Sequence, residues 1–210
     1  YVKESFQDPE GEIGIGREDN EYATRSAGWT GTIETMASGG SSVALRTTVR
    51  REAFNPRSLL QPDATQLESG RWTLRAGAGS DWSFLGDRGV LSVSADLTHI
   101  RSRVYDENPY RFSPMAPDTA TTNLLANLRA GGRVTISRSL ALKANVGRGH
   151  RAPTFSELFG DRGGMLGNTG LEPEQGLTWD AGFRMASAGE SRLLEAVYYD
   201  HRYTDLIQFM

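Results

Sequence analysis

The chain reads as two interleaved sets of positions. In "RWTLRAGAGSDWSF" the residues Trp72, Leu74, Ala76, Ala78, Trp82 and Phe84 share one parity, and Arg71, Thr73, Arg75, Gly77, Gly79 and Asp81 share the other. A period of two over that length predicts an extended strand with one apolar and one polar face. The rhythm returns after the turn "LGDRG", with Leu91, Val93, Ala95 and Leu97 set against Ser92, Ser94, Asp96 and Thr98. In "TTNLLANLRAGGRVTI" the residues Leu124, Ala126, Leu128, Ala130, Val134 and Ile136 oppose Asn123, Asn127, Arg129, Arg133 and Thr135. Leu140, Leu142, Ala144 and Val146 continue it, as do Leu177, Trp179, Ala181, Phe183 and Met185. Looser versions pass through Val43, Leu45 and Val49, and from Tyr22 through Trp29 to Ile33. "RLLEAVYYDHRYTDL" is strand-like without a clear parity. About eight strands are expected in all.

The connections alternate in length. "ASGGS", "LGDRG", "SRS" and "SAGES" are tight, whereas residues 52 to 69, 105 to 120 and 150 to 175 are long. A soluble sandwich has no reason to gather its tight turns at one end and its long loops at the other, but an outer-membrane barrel is built that way. Strand length points in the same direction. Soluble strands usually run about 5 or 6 residues, and membrane strands need about 9 to 11 when tilted. Trp72 and Trp82 stand ten positions apart on one face. That is about 33 Å of strand, or roughly 25 Å once tilted, the height of the apolar band between two aromatic girdles. The expected fold is all-β, an antiparallel up-and-down transmembrane β-barrel of which these are about eight strands of a larger whole. An independent eight-stranded barrel acting as an adhesin, pore or barrel enzyme stays open, as does a soluble β-sandwich binding module.

Composition adjusts this picture only a little. Hydrophobic residues make up 38% and mean hydropathy is −0.46, in keeping with strands that are half polar. No apolar run reaches the length of a membrane-spanning helix. The 23 basic and 26 acidic residues are spread along the chain for a net charge of −3, so no nucleic-acid partner is expected. Arginines fall on the polar parity at 46, 50, 71, 75, 129, 133 and 184, with acids at Glu34, Asp81, Asp96 and Asp180. Such a wall suits a hydrated lumen and would be costly in a closed core. The opening "YVKESFQDPE" shows no signal peptide, and with the close on "DLIQFM" it is expected to belong to a segment cut from a longer chain.

Chemistry is sparse. Cysteine is absent, and His99, His150 and His201 form no HExxH pair. Asp200, His201 and Asp205 invite a metal reading, but on a strand Asp200 and His201 face opposite ways. No G-x-S-x-G elbow or G-x-G-x-x-G phosphate cradle is present. Neither an enzyme nor a resident cofactor is expected.

One stretch breaks the rhythm, and there a family becomes recognisable. "GRGHRAPTFSELFG", followed by "GNTGLEPEQGLTWDAGFR", resembles the barrel of TonB-dependent outer-membrane receptors. Arg151, Ala152, Pro153, Thr154, Phe155, Glu157, Leu158 and Phe159 match the family's first phrase, and Gly167, Asn168, Leu171, Pro173 and Glu174 its second. Thr169 and Gly170 depart from it. Asp205, Leu206 and Ile207 resemble a further family strand end. The resemblance implies that residues 1–210 are one segment of a receptor barrel domain without its plug, in the outer membrane of a Gram-negative bacterium. It further implies contact with outer-membrane lipid, coupling to the TonB complex through the missing plug, and uptake of a scarce ligand such as an iron siderophore or cobalamin. Tyr105, Tyr110, Arg111 and Arg151 lie in the long connections and suit stacking on, or pairing with, an anionic metal chelate. Arg151, Pro153, Phe155, Asn168 and Pro173 are expected to anchor a loop, since proline belongs where strand pairing ends.

Overall fold

The structure is a computed structural model that describes residues 2–8, 18–36, 40–60, 67–106, 118–159, 168–187 and 191–207. The period-two segments are strands: β1 (Val2–Asp8), β2 (Glu18–Met36), β3 (Ser42–Ser58), β4 (Leu67–Phe84), β5 (Gly89–Asp106), β6 (Asp118–Ser137), β7 (Leu140–Arg151), β8 (Glu174–Ala186) and β9 (Leu193–Thr204). Among the described residues one short helix, α1 (Phe155–Phe159), sits between β7 and β8. The strands form one antiparallel sheet in chain order, so the fold is all-β and up-and-down. The ninth strand beyond the expected number is the short β1, whose sequence carries no sustained alternation.

Among the described residues β1 and β9 are the two edges of this sheet, and no second sheet covers it. The pairing of first and last strands that an independent eight-stranded barrel needs is therefore missing from them. So is the partner sheet of a sandwich.

Register assigns the faces. One row across β2 to β6 reads Ile33, Leu45, Ala78, Ala95, Leu128. The row one residue away reads Thr32, Arg46, Gly77, Asp96, Asn127. A slip of one residue would exchange the two faces, so this two-sided pattern fixes the register. The apolar face is left bare: Trp29 is 63% exposed, Ile33 72% and Leu124 70%. Each such side chain would gain roughly 1.5–3 kcal/mol on leaving water, which makes this face a liability anywhere but against lipid.

The opposite face carries registered polar pairs. Arg75 Nη2 donates to Asp96 Oδ1 at 2.5 Å, Asn127 Nδ2 to Asp96 Oδ2 at 2.8 Å, and Asn145 Nδ2 to Asp180 Oδ1 at 2.9 Å. Lys143 of β7 bonds Glu195 of β9 across the intervening β8, where Gly182 is the residue paired with Lys143. A Cβ at Gly182 would collide with the Ala196 carbonyl oxygen, so the bare backbone is what lets β9 approach and the ion pair cross.

The connection expected over residues 52 to 69 is shorter than the sequence suggests, because β3 runs on to Ser58. "AFNPRS" reads as a loop on account of Pro56. At that height, however, β3 pairs only with β2, its ladder to β4 having ended at Phe54 and Ser69. Proline is tolerated on such a one-sided stretch. Strands β2 to β6 thus run 17 to 20 residues, well beyond one membrane crossing.

Candidate functional site at the loop end of β7 and β8

"RAPTFSELF" folds as a capped helical turn. Thr154 Oγ1 accepts from the Glu157 N–H at 3.3 Å, and Glu157 Oε2 accepts from the Thr154 N–H at 2.6 Å. This is the reciprocal capping box that S/T-x-x-E encodes. Pro153 and Leu158 occupy the two positions of a hydrophobic staple and are both fully buried.

Arg151, the last residue of β7, holds two carboxylates at once. Its Nη1 and Nη2 each donate to Glu157 at 3.1 Å, and its Nε and Nη2 donate to Glu174, the first residue of β8, at 2.6 and 2.8 Å. Glu174 also accepts from the Ile207 N–H at 3.0 Å, which ties in the chain just beyond β9. The Asn168 N–H donates to the Glu157 carbonyl at 2.9 Å, so the loop leaves and re-enters the clamp at one point. Asn168 then closes a turn: its Oδ1 accepts from Gly170 N–H at 2.9 Å and its carbonyl from Leu171 N–H at 3.3 Å. The departure at Thr169 and Gly170 is absorbed in that turn.

From the clamp the segment reaches across the inner face of the sheet. Phe155 stacks on Phe54 of β3, with centroids 5.7 Å apart and planes within 9°. Arg71 of β4 lies over the Phe155 ring at 4.6 Å, donates to the Pro153 carbonyl at 2.6 Å, and donates through Nε to Ser102 of β5 at 2.9 Å. With Pro153, the residues Phe155, Leu158, Phe54, Ile100 and Leu125 are the buried apolar side chains among the described residues. The small core therefore sits where this segment meets the inner wall.

The electrostatics follow from the geometry. Hydrogen bonds from Arg151, with that from Ile207 N–H, hold the Glu174 carboxyl down to about 2. Burial alone would raise Glu157, but the bonds from Arg151 and Thr154 outweigh it and leave its carboxyl below the usual range. The Arg151 guanidinium is driven further above its already high value by Glu174 and Glu157. A depressed carboxyl stabilises the fold above its unfolded value and stops doing so as pH falls through its folded one. The Glu174 contribution should thus vanish between pH 4.5 and about 2. Glu174→Gln should flatten the acid limb of thermal stability over that window while leaving the neutral limb parallel to wild type. An unchanged acid limb in scans at graded pH would refute this.

Of the residues singled out by sequence, the structure brings together Arg151, Pro153, Phe155, Glu157, Leu158, Asn168 and Glu174, with Leu171 and Pro173 on the path back to β8. Tyr110, Arg111 and Gly167 lie outside the described residues, and of Tyr105 only its backbone, at the end of β5, lies within them. Phe54 and Ser102 were not foreseen, and Ile207, read as part of a family strand end, was not foreseen as a partner of Glu174. Phe54 left a trace: it is an aromatic on the polar parity of β3, alongside Arg46 and Arg50. Ile100 and Leu125 break the parity of their strands in the same way.

Residues 14–210 match the family described as "TonB dependent receptor-like, beta-barrel". Among solved structures, the chain is similar to a protein described as "Copper transporter OprC", at 15% identity and a TM-score of 0.73 over 91% of this chain and 31% of that one. It is also similar to the Serratia marcescens hemophore receptor HasR, solved with its hemophore HasA and heme, at 13% identity and a TM-score of 0.56 over 88% and 33%. The E. coli K12 ferric-catecholate import receptor Fiu follows at 16% and 0.51 over 87% and 31%. The chain spans about a third of the length of each. No curated protein matches it.

Proposed function

The chain belongs to the TonB-dependent receptor family, as part of its β-barrel, and from that premise we propose that it forms a stretch of barrel wall in an outer-membrane receptor of a Gram-negative bacterium. The observation that carries the reading is the two-faced sheet: long strands with an uncovered, tryptophan-bearing apolar face outward and a wall of paired charges inward. Lipid covers the first face and a water-filled or plugged lumen meets the second.

The activity proposed is energy-coupled uptake of a scarce ligand such as an iron siderophore or cobalamin. Loops at the Arg151 end capture it, and a plug domain moved by the TonB complex releases it inward. No covalent bond of the ligand changes, in keeping with a family of transporters rather than enzymes. Solved receptors of this shape are described with copper, heme and ferric catecholate, so a metal or its chelate is the class of ligand favoured. Tyr105, Tyr110 and Arg111 in the β5–β6 connection are proposed to contact it, by stacking and charge pairing. Arg151 joins them as a ligand contact only if it releases a carboxylate, because Glu157 and Glu174 already engage its guanidinium.

The test is uptake by cells expressing the full receptor, offered labelled ferric catecholate, heme, cobalamin or copper in turn. One of these should accumulate only with the receptor present and TonB intact. Accumulation undiminished without TonB, or none with any ligand, sinks the proposal.

A further inference from the structure

The seat beneath α1 holds a charge that no carboxylate answers. Arg71 donates to two neutral oxygens, the Pro153 carbonyl and Ser102 Oγ, while Glu52, its register neighbour on β3, is engaged by Arg50 at 3.0 Å. Among the described residues no carboxylate pairs with Arg71. Two hydroxyls around it are likewise unanswered. Ser69 Oγ and Thr121 Oγ1 are shut off from solvent without a hydrogen-bond partner, and Ser69 as a whole is only 3% exposed. Both share the inner face with Arg71: Ser69 lies two residues along β4, paired with Phe54, and Thr121 is paired with Ser102. Buried polar atoms without partners are few in a native fold, and each calls for a reason.

What covers this seat is a hydrocarbon ring. Phe155 stacks on Phe54 at 5.7 Å and lies 4.6 Å from the Arg71 guanidinium, so its faces are well matched. Its edge offers no acceptor to the hydroxyls or to the N–H groups that Arg71 still has to give. A ring of the same size bearing oxygens at its edge would keep both face contacts and answer the unpaired donors as well. A negative charge on those oxygens would also be matched by Arg71 through charge-assisted bonds. The seat is placed to meet such a ring, because the next residue of β4, Trp72, belongs to the aromatic girdle nearer the long loops.

We propose that Phe155 is the resident occupant of a binding site for an aromatic oxyanion, a catecholate or hydroxybenzoate ring, which displaces it. The incoming ring stacks on Phe54 and sets its oxygens on Arg71, Ser69 and Thr121. Rotation of the Phe155 side chain is the motion required, and the Arg151 clamp stays closed. The proposal rests on the uptake reading above and narrows its ligand to chelates that carry such a ring.

Equilibrium dialysis of the full receptor in detergent tests it, with iron-free 2,3-dihydroxybenzoate as probe and benzoate as the control without hydroxyls. Phe155→Ala should bind the probe about tenfold or more tightly than wild type, since a site open about a tenth of the time or less loses apparent affinity by that factor. Arg71→Gln on that background should lose about tenfold, the worth of a hydrogen bond to a charged group. Ser69→Ala with Thr121→Val should weaken dihydroxybenzoate and leave benzoate unchanged. Equal affinity of Phe155→Ala and wild type, or equal affinity for the two probes, overturns the proposal. Should Phe155→Ala show no cooperative thermal transition, hydrogen exchange of the wild type decides. Residues 153 to 159 should then exchange faster under saturating 2,3-dihydroxybenzoate, and unchanged rates overturn the proposal. Uptake that proves independent of TonB would defeat the transport reading and leave this binding result standing.

Discussion

Arg151→Ala is expected to lower the stability of the full receptor by about 3 kcal/mol or more. Removing one partner of a buried ion pair costs about 3–5 kcal/mol, because the remaining charge stays desolvated. Glu157 meets that condition, with its side chain only 8% exposed, whereas Glu174 at 14% regains some water. Arg151 is itself 44% exposed, which holds the loss toward the lower end. The consequence should be local before it is global. Without Arg151, β7, α1, β8 and the chain beyond β9 lose their common tie, and Phe155 should leave Phe54 and Arg71. Thermal unfolding with limited proteolysis near Phe159 would show this as a lower midpoint and new cleavage. Adding Glu157→Gln and Glu174→Gln to the alanine variant should recover part of the loss, since neutral amides have less to lose on burial. A midpoint within a degree of wild type, with unaltered cleavage, would contradict the clamp.

The second large effect tests which face meets lipid. Ala95 lies mid-row between Ala78 and Leu128 on the outward face, and Ser94 is its inward neighbour, paired with Gly79 and Arg129. Ala95→Arg should destabilise the membrane-inserted receptor by about 2–4 kcal/mol, the penalty for a cation near the bilayer midplane. Ser94→Arg should cost far less, because a hydrated lumen solvates it. Urea unfolding from lipid vesicles compares the two directly. Equal penalties, or a larger one at Ser94, would reverse the assignment of faces.

Most of the wall was legible in the sequence because period-two patterning is a local property. Trp72 to Phe84 or Leu124 to Ile136 declare their faces without knowledge of any neighbour. Strand β9 was unreadable for a physical reason: its inward residues Tyr199, His201 and Tyr203 meet edge to face, at 5.4 and 6.4 Å, while Tyr198 on the other face packs against Trp179. Aromatics on both faces erase the contrast on which parity depends. At the clamp, the motif residues were recognisable as a phrase, and the T-x-x-E box could be read from spacing alone. Their partners could not, since Phe54 and Arg71 are brought to Phe155 and Pro153, and Ser102 to Arg71, by chain separations that no local pattern encodes.

The reach of the Pro153–Leu158 segment to β3 and β4 leaves the inner face of this sheet unevenly covered. Over β3 to β5 the upper inner wall is already occupied by protein. Among the described residues, Gly147, Gly149, Gly176 and Tyr203 line one end of a concavity of about 700 Å³ that runs along the inner face as far as Ser42 and Glu34. Bare backbone thus faces inward near the loop end of β7 and β8, whereas aromatic and guanidinium groups pack over β3 and β4. The same phrase that pins the loop thereby also sets which part of the inner surface is packed and which is bare.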